Sequence, residues 1–381
     1  MKSQVFVFDP TAGDKLSKVR GIGRYLQILK ENFPDWNYTS NLYDVKNFTN
    51  FKDSIFINPF FNFLQSPLTM KRVAEKQIAV IHDLIPLKYP EHFPAGLRGG
   101  LNIFLNKLAL KNYDLIITDS EASKKDIVRL LGINENTVKV VYPCLSQNLT
   151  KYSVSSIQYS GKKQKISDTQ SIQNTEYSIP NTDYCLYVGD ATWNKNLVNL
   201  AKAIKIADVQ CVFVGKVFEN LASSIQYSVS SINKADIEYS IPNTEYSSNP
   251  WLREFTEFMQ ITKGDTRFIF KGFVKDYELV KFYQQAKVNL LLSRDEGFGF
   301  SYLEAASFGC PSILSNTPIL KEISTGKGAT FAPHDNPNII AERVKQMFIN
   351  ENLRQKLSSE ALERSRYFNY QSFKKEFSNV I

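Results

Sequence analysis

The chain is 381 residues long with a formal net charge of +8. Hydrophobic residues make up 43% and charged residues 22%, with 27 Phe and 19 Tyr, so a largely disordered chain is excluded and two or three globular domains are expected. Four scattered Cys and three His, with no CxxC and no HExxH, exclude a disulfide scaffold, a cysteine zinc site and a zincin. The positive charge suits nucleic acid, an anionic membrane surface or a phosphorylated small molecule, and does not choose among them.

The start, MKSQVFVFDP, runs directly into a strand at residues 5–9 without the long apolar stretch of a leader. No run of about 18 apolar residues follows anywhere, so the sequence reading is a cytoplasmic chain without a membrane span. A Gly-containing loop with Gly21 and Gly23 leads to a helix at 24–32. Residues 54–58 and 77–81 read as buried strands. Residues 101–110 are apolar at helical spacing, flanked by Arg98, Lys107 and Lys111. Two readings stay open for that segment: an amphipathic helix covering a sheet, or a basic, apolar surface facing a membrane. A strand at 114–118, a helix capped by Ser120 and running to Leu131, and a strand at 138–142 ending at Pro143 complete the first half.

The alternation resumes with strands at 184–188, 211–214, 266–270, 288–292 and 311–314, and helices at 197–206, 277–285, 302–308 and 339–349. Runs such as DLIIT and VKVVY suit parallel strands buried on both faces. The fold class is therefore α/β, with two Rossmann-like doubly wound domains at 1–150 and 183–355. The amphipathic end, 356–381, is expected to form a helix that packs back on the first domain.

Residues 151–182 and about 221–248 break the pattern. YSVSSI, SSIQYS and EYSIPNT each occur once in both, at unequal offsets, so the element is a low-complexity insertion rather than a duplicated domain. Ser, Asn, Gln and Tyr dominate it. The reading is a pair of solvated surface loops, with a partner-binding segment as the alternative.

The stretch 293–315, SRDEGFGFSYLEAASFGCPSILS, carries the most chemistry. A strand runs into Glu296, then Gly297, Phe298, Gly299 and Phe300, then a helix bearing Glu304. Glycines let backbone N–H groups approach an anion, and the helix start adds the positive end of its dipole. That suits a phosphate or diphosphate. Glu304 is placed to accept hydrogen bonds from a vicinal diol such as a ribose. Glu296 sits at the C-terminal end of a strand, where open α/β sheets bind ligands. The competing reading makes both glutamates solvated or capping residues.

The segment resembles the E-x7-E signature of family 4 retaining glycosyltransferases with the GT-B fold. GIGRY (21–25), AVIHDLIPLKYPEHF (79–93), IITDSEASKKDI (116–127), YVGDATWNKN (187–196) and FKGFV (270–274) extend the likeness over nearly the whole chain outside the insertions. The pieces are most similar to bacterial mannosyltransferase-like members acting on cell-surface glycans. The resemblance implies two domains facing across a cleft, with the first on the acceptor side and the second binding the nucleotide sugar. It implies His82 and Glu296 as catalytic residues positioning the transferred sugar, with Asp83 orienting His82 or shaping the acceptor pocket. Gly21, Gly23 and Arg24 would lie against the donor phosphates and acceptor, Lys195 and the 297–300 backbone against the diphosphate, and Glu304 against the ribose. Many members carry an arginine directly after the glycine of the 184–188 strand. Here Asp190 follows Gly189, so Lys195 acts alone or with Arg24 or Lys271.

The resulting expectation is a retaining hexosyltransferase of surface-polysaccharide synthesis. GDP-mannose is the favoured donor and a UDP-sugar the alternative, with a glycan or lipid-linked acceptor and contact with an anionic membrane surface at its inner face. No cofactor or metal is expected, because no D-x-D lies in a suitable loop. Nucleic acid is not expected as a partner, because no Lys/Arg stripe with aromatic platforms is present. An inactive sugar-nucleotide-binding protein is the rival reading.

Overall fold

The computed structural model describes residues 4–11, 21–42, 45, 51–151, 183–219, 221 and 249–381. The two repeated low-complexity segments, apart from residues 151 and 221, lie outside the described residues.

The first lobe contains β1 (Gln4–Phe8), α1 (Gly21–Asn32), β2 (Asn37–Thr39), β3 (Ser54–Asn58), β4 (Lys76–Val80), α2 (Ile85–Lys88), α3 (Gly96–Leu110), β5 (Leu115–Thr118), α4 (Glu121–Leu131), β6 (Val138–Val140) and α5 (Gln147–Thr150). Its sheet is parallel in the order β2-β1-β3-β4-β5-β6. The second lobe contains β7 (Tyr184–Val188), α6 (Leu197–Ala207), β8 (Gln210–Val214), α7 (Arg253–Thr262), β9 (Phe268–Lys271), α8 (Asp276–Gln285), β10 (Val288–Leu291), α9 (Phe300–Ser307), β11 (Ser312–Ser315), α10 (Pro318–Ser324), β12 (Ala329–Ala332), α11 (Pro337–Ile349) and α12 (Glu351–Ser365). Its sheet is parallel in the order β12-β11-β10-β7-β8-β9. Two doubly wound sheets of this kind are the GT-B architecture.

Local chemistry explains the elements that frame the site. β4 and β7 are buried almost throughout, as strands covered on both faces by crossover helices must be. In α1, Tyr25, Leu26, Ile28 and Leu29 form the buried stripe at helical spacing. Ser120 Oγ accepts from Ser123 N at 3.1 Å to start α4, and Gly132 ends it in the left-handed region at φ 65°.

The chain's end differs from the single helix expected over 356–381. Residues 366–369 break it. α12 stays on the second lobe, where Gly328 approaches so closely that a Cβ there would lie 2.5 Å from Ala361 Cα. α13 (Tyr370–Val380) crosses to the first lobe. It buries Phe373 and Phe377 among Tyr25, Phe33 and Trp36. Each buried Phe stabilises the docked helix by about 1.5–3 kcal/mol.

α3 buries Ala109 and Leu110 but leaves other apolar side chains outside. Its buried face carries Asn102 and Asn106, which donate to the carbonyls of Leu64 (2.9 Å) and Gln65 (2.7 Å). Its outer face leaves Leu97 97%, Phe104 58% and Leu101 57% exposed.

Candidate active site

In the second sheet β7 lies between β8 and β10, so the chain leaves β7 and β10 in opposite directions and opens a crevice at their C-terminal ends. Lys195 and Glu296 meet there. Lys195 ends a 3-10 turn, Trp193–Lys195, and its Nζ lies 2.7 and 2.9 Å from the two Glu296 carboxylate oxygens. Ser293 Oγ donates to the same carboxylate at 2.6 Å. Asn196, in the left-handed region at φ 61°, holds the turn by donating to the carbonyls of Leu292 and His334. Burial works against the charge on Lys195, but the adjacent Glu296 carboxylate outweighs it and raises the lysine's pKa.

The glycine loop follows directly. The Gly297 carbonyl accepts from Ser120 Oγ at 2.9 Å and Ser123 Oγ at 3.1 Å, both from the first lobe. A Cβ on Gly297 would sit 2.7 Å from the His82 carbonyl oxygen, so only glycine permits this approach. Gly299 caps α9 at φ 97°, and a Cβ there would lie 2.8 Å from Ile323 Cδ1. The first N–H groups and the positive dipole end of α9 therefore stand at the crevice. Phe298 is buried, edge-on to Phe300 and Phe368, and supports the loop from beneath.

Glu304, one helical turn into α9, is 3% exposed. Tyr283 donates to its Oε2 at 2.9 Å, and Arg24 Nε reaches its Oε1 at 3.2 Å. Arg24 comes from α1 of the first lobe and also bonds Asp276 at 3.2 Å, so one guanidinium ties the lobes together. Burial opposes the arginine's charge, and the Glu304 and Asp276 carboxylates more than restore it. Burial also pushes the Tyr283 phenol well up.

His82 follows β4. Its Nδ1 is 2.6 Å from Asp119 Oδ2 and its Nε2 is 3.0 Å from the Pro59 carbonyl. The expectation that Asp83 orients this ring is corrected. Asp83 Oδ1 instead accepts from Ile85 N at 3.0 Å, at the first residue of α2. The reason is strand pairing: Val80 lies beside Ile117 in the parallel sheet, so the residues two beyond each, His82 and Asp119, fall side by side. Burial alone would lower the His82 pKa, but the Asp119 charge and hydrogen bond raise it. Burial raises the Asp83 pKa, and His82 and Lys195 oppose that rise.

A second correction concerns Gly21 and Gly23. Both lie in the first turn of α1 rather than in the preceding loop. A helix's first turn needs no intrahelical partner for its N–H groups, so glycine is tolerated there. Lys271 ends β9, where burial lowers its pKa. Asp190 is exposed, and its carboxylate accepts from Ala191 N. Sequence reasoning missed Asp119, although it lies within the IITDS run, and Tyr283, which no motif marks.

Around the crevice the lobes make further contacts. Lys88 and Tyr89 reach Asp295 at 2.7 and 3.1 Å, and Glu322 accepts from the first N–H groups of α4 at 2.7 and 2.9 Å. Trp193 stacks on His92 at 3.7 Å.

The family described as "Glycosyl transferases group 1" matches residues 169–364, a little over half of the chain. The serotype-specific mannosyltransferase WbdA of Escherichia coli is 24% identical over 84% of this chain, which spans 35% of that relative's length. O-antigen chain mannosyltransferase B of E. coli is 23% identical over 84% of this chain and 72% of its own length. Among solved structures, Anabaena Alr3699/HepE in complex with UDP-glucose superposes with a TM-score of 0.67 at 13% identity, over 99% of this chain and 98% of that one. Sucrose-phosphate synthase from Thermosynechococcus elongatus gives 0.55 at 18% identity, over 80% and 67%.

Proposed function

The chain belongs to the group 1 glycosyl transferases, and from that premise we propose that it moves a hexose from a nucleotide-diphosphate sugar to a glycan or lipid-linked acceptor in surface-polysaccharide synthesis, with retention of configuration. The observation that carries this reading is the joining of Lys195, Glu296, the 297–300 loop and Glu304 at one strand-end crevice, facing His82 across the lobes. Lys195 and the open N–H groups of α9 hold the diphosphate and stabilise its charge as it leaves. Glu304 takes the ribose hydroxyls, which requires it to share or exchange its bond to Arg24. Glu296 and His82 position the sugar. A leaving phosphate oxygen receives the acceptor proton on the same face.

Mannose is favoured because the relatives are mannosyltransferases, and GDP-mannose is the first donor to test. The UDP-glucose bound to the Anabaena neighbour supports a UDP-sugar as the alternative. Thermal-shift titration with GDP, UDP and their sugars, followed by nucleotide-release assays, tests the reading. Stabilisation and turnover with one nucleotide class, lost in Glu304→Ala, are expected. No shift with any of them at millimolar concentration overturns it.

No helix among the described residues is long and apolar enough to cross a membrane. Peripheral contact with an anionic bilayer is proposed through α3, where exposed Leu97, Leu101 and Phe104 stand beside Arg98, Lys107 and Lys111. Vesicles containing phosphatidylglycerol should float the protein. Leu97→Ser with Phe104→Ser should abolish flotation, and unchanged flotation in that variant and in one neutralising the three cations refutes the contact.

A further inference from the structure

The bonds of the His82 ring determine its charge. A carbonyl oxygen only accepts, so the nitrogen facing Pro59, Nε2, carries a proton. One further proton lies between Nδ1 and Asp119 Oδ2, 2.6 Å apart. A carboxylate is ordinarily the weaker base of the two, so that proton resides on the ring. His82 is then an imidazolium with both donors engaged, and neither nitrogen has a lone pair to take a proton from an acceptor hydroxyl. Asp119 is sealed in, with its side chain 3% exposed and its Oδ1 without a hydrogen-bond partner. A buried carboxylate so poorly solvated needs a counter-charge, and His82 supplies it.

We infer that Asp119 is a positioning residue for the transfer reaction: it locks His82 as a fixed imidazolium on the first lobe's side of the cleft, so that His82 acts through its charge and not as a general base. The groups facing the ring are Asp119 beyond β5, Asp83 from the same segment and the Tyr25 phenol from α1, whose ring packs edge-on at 4.6 Å. Asp83 in turn feels Lys195 and Glu296 of the second lobe. Charges thus alternate across the cleft from Asp119 through His82, Asp83 and Lys195 to Glu296. The His82 carbonyl abuts Gly297, so this row runs beside the loop assigned to the diphosphate. Removing the Asp119 charge lets His82 lose its proton near neutrality and takes one positive charge from the side on which the diphosphate departs. The catalytic part rests on the donor site proposed above, whereas the protonation state does not.

Nitrogen-15 NMR of histidine-labelled full-length protein tests the protonation. The chain has three histidines, and His82→Gln identifies the relevant signal. The wild-type ring should be doubly protonated at pH 7, and Asp119→Asn should move its midpoint down by roughly one unit or more. A neutral wild-type ring at pH 7, or an unmoved midpoint in Asp119→Asn, overturns the inference. For catalysis, Asp119→Asn should lower kcat about tenfold or more at pH 7.5 with the donor KM little changed, and most of the loss should be recovered near pH 6. Asp119→Glu should retain part of the rate. A kcat deficit equal at every pH marks a structural role and refutes the positioning one. If no sugar nucleotide is turned over, the donor reading falls while the NMR result still decides the charge on His82.

Discussion

Replacing Glu296 with glutamine separates donor binding from turnover. The carboxylate neutralises Lys195 at 2.7 and 2.9 Å, with the two side chains only 10% and 21% exposed. A bound diphosphate must share that ammonium, which places a phosphate oxygen and Glu296 on opposite sides of it, roughly 6 Å apart. Two unit charges at that separation repel by about 1.4–2.8 kcal/mol at an effective dielectric constant of roughly 20–40, a factor of about 10–100 in affinity. Glu296→Gln keeps the shape and the acceptor for Ser293 but removes the repulsion. Calorimetry should show GDP or UDP binding about tenfold tighter or more. Nucleotide-release assays should show kcat falling about 100-fold or more, because the group positioning the sugar has lost its charge. Leaving Lys195 without its partner should also lower stability by about 1–2 kcal/mol, less than for a fully buried pair because water still reaches the lysine. Weakened or unchanged nucleotide affinity in a variant that is folded by circular dichroism refutes the assignment of Lys195 to the diphosphate.

Arg24→Met removes the guanidinium that bridges Glu304 and Asp276, and should lower the melting temperature by a few degrees while widening the lobe separation seen by small-angle scattering. An unchanged scattering profile would show that the other lobe contacts suffice. Gly297→Ala puts a methyl group 2.7 Å from the His82 carbonyl, so the loop or the lobe must shift; activity should fall at least tenfold with stability down by about 1–3 kcal/mol, read by kinetics and urea unfolding. Far from the site, hydrogen bonds and charge from Arg267 hold the Asp265 pKa down at about 2, below its ordinary 3.8. Its contribution is fully present above the unfolded value and is lost as pH falls toward 2. The stability difference between the wild type and Asp265→Asn should therefore be constant near neutrality and shrink below about pH 4, and a difference independent of pH refutes the pairing.

Much of the architecture was legible in the residues. Apolar runs of strand length alternate with amphipathic stretches, and local periodicity needs no distant partner, so two parallel α/β lobes follow from it. The strand–glycine–helix passage at 288–307 was legible too, because Gly299 must take a positive φ and Glu304 must fall one turn into the helix. The helix cap at Ser120 is likewise a matter of four consecutive residues.

Other features depend on residues far apart in the chain. Asp119 became the partner of His82, 37 positions away, through the register of β4 on β5, which no local pattern specifies. Asp83, adjacent in sequence, instead accepts from the Ile85 N–H at the start of α2. Lys195 and Glu296 stand 101 positions apart and meet only because β7 and β10 are neighbours at the switch point. Arg24 and Asp276 are 252 apart and belong to different lobes. The break at 366–369, after which α13 docks Phe373 and Phe377 on α1, likewise answers to the apolar surface waiting on the first lobe. Hydrophobic period and backbone sterics act over a few residues, and by themselves they determined the elements and the glycine loop. Ion pairs and strand register act through space, so only the tertiary structure decided which charge faces which, and with it the protonation of His82.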